Sequence, residues 1–207
     1  MTENSLTTVH VAVYDTLADW EIGFLTAHVN SPAWHKSPGR FRIRTVGASA
    51  APVTTMGGLR VLPDLTLDEL SPGDSAMLVL PGNEFFPTEA FHPYAAKARE
   101  FRAAGVPVAA ICGATGGLAL AGMLDEHEHT SNAKEFLEGL GYGGDALYRD
   151  EPAVNDGGLI TAGAQAPIEF ARAVFAELGI YEPGVLDSWY KLYGEKNPAG
   201  FYELMGA

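Results

Sequence analysis

Val106-Pro107-Val108-Ala109-Ala110-Ile111-Cys112-Gly113-Ala114-Thr115-Gly116-Gly117 is the stretch whose reading decides the fold. Its first half is a short uncharged run, rich in β-branched residues and opening after Gly105, which predicts a strand buried on both faces. The second half holds small residues only, and predicts a helix that begins at once and packs close to the strand. A strand that passes into a helix through one sharp turn has the geometry of a nucleophile elbow, and Cys112 sits at its apex.

Working outward, the pattern repeats. Ala76–Leu80 (AMLVL) is a second buried strand, closed by Pro81-Gly82, and Glu89–Ala104 is an amphipathic helix ended by Gly105. Val9–Tyr14 (VHVAVY) predicts a first strand, and Trp20, Phe24, Leu25 and His28 follow at helical spacing. Phe41–Val46 reads as another strand, and Val53–Thr55 with Leu59–Leu62 as a small hairpin on one edge of the sheet. After the elbow, Gly122 stops the helix, Thr130-Ser131 opens a short strand, and a short helix passes through Phe136 and Leu137 to Gly139. Asn155-Asp156-Gly157-Gly158 between two apolar pairs is a hairpin signal. Pro167 near the first turn and Gly179 just past the end bracket a helix over 167–178. An aromatic tail over about 185–205 predicts a C-terminal docking helix. Strands alternating with helices imply an α/β fold, a mostly parallel sheet covered on both faces. The 207 residues read as one domain with its core over about 9–179.

The charge balance narrows the partners. Thirteen basic residues against 26 acidic ones give a net charge of −13, without the basic footprint that nucleic acid or an anionic membrane needs. No apolar run reaches the roughly 20 residues that span a bilayer. The opening MTENSLTT lacks the basic and apolar regions of a signal peptide. One cysteine forms no internal disulfide, so the expected location is the reducing cytoplasm.

In a parallel sheet ligands bind beyond the carboxyl ends of the strands. The loop after Tyr14, the loop after Leu80 and the turn after Ile111 should therefore converge. A thiol at a helix N-terminus is expected to have a depressed pKa, and the amides of Gly113 and Ala114 to hold a developing oxyanion. A free cysteine is also common as inert core filling. Glu21, beside the bulky Trp20, can be a desolvated carboxyl that moves a proton at sulfur. It is equally the acidic residue that a helix's first turn favours. Gly82 permits close backbone approach, with the Asn83 N–H pointing into the site or simply closing a turn. Glu126-His127-Glu128-His129 has metal-ligand composition, but charge in a turn of this kind is usually solvated, and no cofactor motif occurs. Phe85, Phe86 and Tyr94 either line a pocket or fill core.

AAICGATGGLALAGMLDEHEHTSN (109–132), Asp19-Trp20-Glu21, LVLPGNEF (78–85) and DGGLITAGAQAPIEFARAVFAELG (156–179) together resemble the DJ-1/PfpI superfamily, the class I glutamine amidotransferase-like group. The resemblance implies a flavodoxin-like sandwich, a homodimer, Cys112 as elbow nucleophile and Glu21 as the carboxylic acid beside it. It also places Gly82 and Asn83 in the oxyanion loop. Two positions depart from the pattern: Gly113 stands where protease-like members carry a histidine, and Asn132 where other members do. With no histidine after His129, no Cys–His–acid triad is visible, which disfavours proteolysis and glutamine hydrolysis. The expected activity is that of a small-molecule hydrolase or hydratase acting on a carbonyl- or nitrile-like carbon. The alternative is a stress protein whose cysteine is oxidised without turnover.

Overall fold

A computed structural model describes residues 6–84 and 88–206. The reading of Phe85 and Phe86, and that of the first five residues, lie outside them. The chain runs β1 (Thr7–Ala12), α1 (Asp19–Asn30), β2 (Phe41–Gly47), β3 (Val53–Thr54), β4 (Arg60–Val61), β5 (Leu65–Thr66), β6 (Met77–Leu80), α2 (His92–Ala103), β7 (Val108–Ile111) and α3 (Gly113–Leu120). It continues through α4 (Lys134–Glu138), β8 (Ala153–Asp156), β9 (Leu159–Ala162), α5 (Pro167–Leu178), α6 (Pro183–Tyr193) and α7 (Ala199–Met205).

Seven strands form one sheet in the order β5-β2-β1-β6-β7-β9-β8. All its pairs are parallel except the β8–β9 hairpin. This is the flavodoxin-like α/β architecture. The uninterrupted apolar strands follow from burial on both sides, because successive side chains leave a strand on opposite faces. Ala12, Leu78, Leu80, Val108 and Ala110 pack into one core with Tyr94, Ala98 and Phe101 of α2. Val9, Val11, Met77, Val79, Ala109 and Ile111 pack into the other with Leu25 of α1, Phe170 and Val174 of α5, and Trp189 of α6. Tyr94 thus fills core, 3% exposed.

Three expectations are corrected. The β3–β4 hairpin forms, but as a separate two-stranded ribbon rather than on an edge of the main sheet. It lies over the loop after β1, through Thr16 N–H to Thr54 O and Met56 N–H to Leu17 O. Thr130-Ser131 forms no strand; beside it His129 makes a single bridge to Tyr148, too little pairing to extend a ladder. The tail is two helices, not one, because Gly194 ends α6 and Pro198, which has no N–H to donate, stands at the start of α7. Trp189 is fully buried, whereas Phe201 and Tyr202 are exposed.

Candidate active site

Cys112 stands between β7 and α3 with φ 60° and ψ −131°, a conformation that costs a non-glycine residue about 1–3 kcal/mol. The surroundings hold it there. Its N–H donates to Ala162 O at 2.9 Å, and its carbonyl accepts from Thr115 N–H at 3.1 Å and Thr115 Oγ1 at 2.6 Å. Thr115 Oγ1 in turn lies 2.6 Å from Ser131 Oγ, joining the elbow to the segment before Asn132. The hydroxyls of Thr115 and Ser131 carried no sequence signal for this role.

The three loops converge as expected. A Cβ at Gly82 would stand 2.7 Å from Cys112 Cβ and 2.9 Å from Sγ, so only glycine lets the strand-ending loop lie against the sulfur. Ala18 N–H donates to Gly82 O at 3.0 Å, which brings the start of α1 to the same point. Glu21, 0% exposed in the first turn of α1, accepts the Gly82 N–H on Oε2 at 2.5 Å. The Gly82 amide, expected to hold an oxyanion, is therefore committed to the carboxyl. Glu21 Oε1 is buried with no partner of hydrogen-bond geometry, and the Cys112 thiol is the side chain beside the carboxyl that acts on its proton affinity.

Burial raises the Glu21 pKa to about 7, against the stabilising Gly82 N–H and the thiol. Burial also raises the thiol to about 11, with the Glu21 charge next and the Asn132 and Gly113 donors opposing. The expectation of a depressed thiol pKa is thus overturned. The helix-terminal Gly113 amide does reach the sulfur, but desolvation and a neighbouring carboxylate outweigh it.

Asn132 donates from Nδ2 to Cys112 Sγ at 3.5 Å, and its Oδ1 accepts Ala164 N–H at 2.9 Å. That second bond sets which end of the amide faces the sulfur. Trp20 is 49% exposed, and its Nε1 donates to Ala164 O at 3.2 Å. Asn83 pairs with Leu17 as an isolated antiparallel bridge, and its Nδ2 donates to Asp15 O at 3.4 Å. Ala114, in the first turn of α3, is fully buried. Tyr14, buried at the end of VHVAVY, donates to Pro81 O and feels both Glu21 and Cys112. It is a site neighbour that sequence reading left in the strand.

His127 and His129 do not act together. His127 Nδ1 meets Asp156 Oδ2 at 3.1 Å, while His129 is buried between the His127 carbonyl and the Tyr142 hydroxyl. Among the described residues no group of three or more His, Cys, Asp or Glu converges to hold a metal ion. No helix among them is long and apolar enough to cross a membrane. Beside Asn132 a groove of about 950 Å³ runs between Lys134, Tyr148 and Glu169; Cys112 is not part of its wall.

Comparison with known proteins places the fold among solved relatives. A family model described as the DJ-1/PfpI family matches residues 7–177. The chain is 38% identical over 200 residues, 95% of each chain, to a Bacillus subtilis protein named uncharacterized protease YoaZ. It superposes with a TM-score of 0.90 on a thiJ/pfpI family protein from Bacillus anthracis, at 38% identity and 98% coverage of both chains. For a DJ-1 superfamily protein from Agrobacterium tumefaciens the TM-score is 0.81, at 33% identity, covering 93% of this chain and 100% of that one.

Proposed function

Because the chain belongs to the DJ-1/PfpI family, we propose that it is a cysteine-dependent hydrolase or hydratase acting on a small electrophile with a carbonyl- or nitrile-like carbon. The observation that carries this reading is the buried Glu21 carboxyl, one oxygen unpartnered, set against a sulfur held in a strained elbow. As the sulfur bonds to the substrate carbon, the thiol proton passes to the Glu21 carboxylate. The same acid then returns it to the substrate oxygen or nitrogen; water oxygen next bonds to the same carbon, the carbon–sulfur bond breaks, and a proton of that water restores the thiol. The transfer from sulfur to carboxylate keeps the charge of the pair at one negative unit. It also removes the Glu21 charge that holds the thiol pKa up. A raised thiol pKa is therefore compatible with attack from this pair, and Asn132 and the Gly113 amide face the sulfur as it becomes anionic.

YoaZ carries the name of a protease, but the groups that act on the sulfur here are Glu21, Asn132 and Gly113, none of them a histidine. Oxidation without turnover is less well served, because peroxide consumes thiolate and this thiol is held as thiol at neutral pH. A homodimer belongs to the same reading, and a monomer at micromolar concentration in sedimentation overturns that part of it. The deciding experiment screens small aldehydes, nitriles and isonitriles against wild type, Cys112→Ser and Glu21→Gln. Turnover that vanishes in Cys112→Ser supports the proposal. Peroxide-driven mass gain at Cys112 with no turnover of any class overturns it.

A further inference from the structure

The amino-terminal half of the same sheet carries a second cluster of reactive charge, apart from the carboxyl-end site of Cys112. Parallel pairing sets Thr8 beside Arg42 and His10 beside Arg44. These alternate residues leave the sheet on one face. Together with the chain from Leu65 to Ala76 they enclose a cavity of about 480 Å³.

Neutral groups hold the two cations there. Arg42 Nε donates to Thr8 Oγ1 at 2.9 Å, and Arg44 Nη2 to the Asp64 carbonyl at 3.0 Å. Among the described residues neither guanidinium forms an ion pair, in a chain of net charge −13. The carboxylates nearby are turned to other work. Asp64 Oδ2 accepts Thr45 N–H at 2.7 Å and Thr45 Oγ1 at 3.0 Å. Glu69 Oε2 accepts Thr66 N–H at 2.8 Å and Thr66 Oγ1 at 2.9 Å, and feels Arg44 least of its interactions. Asp74 is exposed on the cavity's border.

His10 lies on the same floor, 3% exposed, with Nδ1 2.8 Å from Ser75 Oγ. The Ser75 hydroxyl donates to Met77 O at 3.0 Å, so it accepts from His10 Nδ1–H. Burial first, then Arg44 and Arg42, push the His10 pKa down to about 4, while Asp74 and Asp64 pull it up more weakly. Two arginines thus stand beside a histidine on one face of the sheet, lining a cavity that Glu69 and Asp74 also border, and neither arginine is ion-paired, an arrangement that an anion between them relieves.

We propose that this cavity binds a small phosphomonoester, its dianionic phosphate held between Arg42 and Arg44 over His10. Two guanidiniums on alternate positions of one strand reach a tetrahedral dianion from two sides, and each offers several N–H donors to its oxygens. A monocarboxylate has charge for one of them only.

The test titrates glycerol phosphate and inorganic phosphate, separately and at constant ionic strength, into the full chain while the ring resonances of His10 are followed. The expected result is saturable binding of glycerol phosphate, with the His10 titration midpoint moving up from about 4. Arg42→Gln and Arg44→Gln should each weaken that binding about tenfold or more at unchanged thermal midpoint. Cys112→Ser should leave it untouched, which separates this site from the cysteine chemistry. Saturation by inorganic phosphate alone overturns the proposal. An equal response to chloride does so too, as does wild-type affinity in both arginine variants.

Discussion

Cys112 and Glu21 are best treated as one unit, since each changes the other's proton affinity. Replacing Glu21 with Gln removes a carboxylate that repels the thiolate and stands beside the thiol with one oxygen unpartnered. The pH midpoint of iodoacetamide alkylation at Cys112 should therefore be lower in Glu21→Gln than in wild type, because the Glu21 charge is one of the causes that raise the thiol. Turnover of any substrate found by the screen should drop by about 10²–10⁴-fold in the same variant, because the proton acceptor is gone. Faster alkylation with slower turnover is a split that a merely structural role for Glu21 does not produce. The same substitution reads out in stability. The Glu21 pKa is raised from 4.5 to about 7 on folding, so its burial is free of penalty below about 4.5 and costs stability as pH rises through 7. Glu21→Gln should accordingly be more stable than wild type at pH 8, by about 2–3 kcal/mol. Urea unfolding should show that gain shrinking toward pH 4.5.

Among the elements, the loop after β6 and helix α6 are the most demanding. Gly82 touches the elbow so closely that Gly82→Ala must move the strand-ending loop or Cys112 itself. The expected loss is about 1–3 kcal/mol of stability, with slower chemistry at the sulfur, measured by urea midpoint and alkylation rate together. Unchanged values for both would mean that the loop yields freely. α6 is anchored by Trp189, fully buried, with its ring 5.1 Å from those of Phe175 and Tyr193 and 5.4 Å from His28. Trp189→Ala should cost about 3–5 kcal/mol in urea unfolding. Since α6 packs on α5 rather than on the elbow, alkylation of Cys112 in the folded variant should keep its wild-type pH profile.

For the whole molecule, buried histidines set the response to acid. His10 falls from 6.5 to about 4, and His28 and His129 are lowered too, in each case chiefly by burial. A histidine kept neutral on folding contributes stability that is complete above its unfolded pKa near 6.5 and is lost as pH falls through the folded value. Glu21 gains stability over part of the same window, so the histidine contribution is read as a difference: the thermal midpoint of His10→Gln relative to wild type should rise as pH falls from 6.5 toward 4. A difference between the two proteins that stays constant across the window would show that the His10 side chain is hydrated in the native state.

The sequence by itself determined the alternating apolar strands, the proline and glycine bounds of α5, and the sharp turn at Cys112. Each rests on preferences set within a few residues: side-chain period, fixed or positive φ, and the small side chains a close-packed helix needs. Gly179, at φ 59°, is such a local device, and so is the hairpin turn at Gly157 and Gly158, both at positive φ. Only the tertiary structure decided what the site does with those parts. The Gly82 amide meets a carboxyl 61 residues away, and the Asn132 amide meets a sulfur 20 residues away. The thiol's pKa reverses direction because desolvation by the packed sheet and the Glu21 charge outweigh one helix-terminal amide. Such terms depend on distance through space and on exclusion of water, and neither is carried by spacing along the chain.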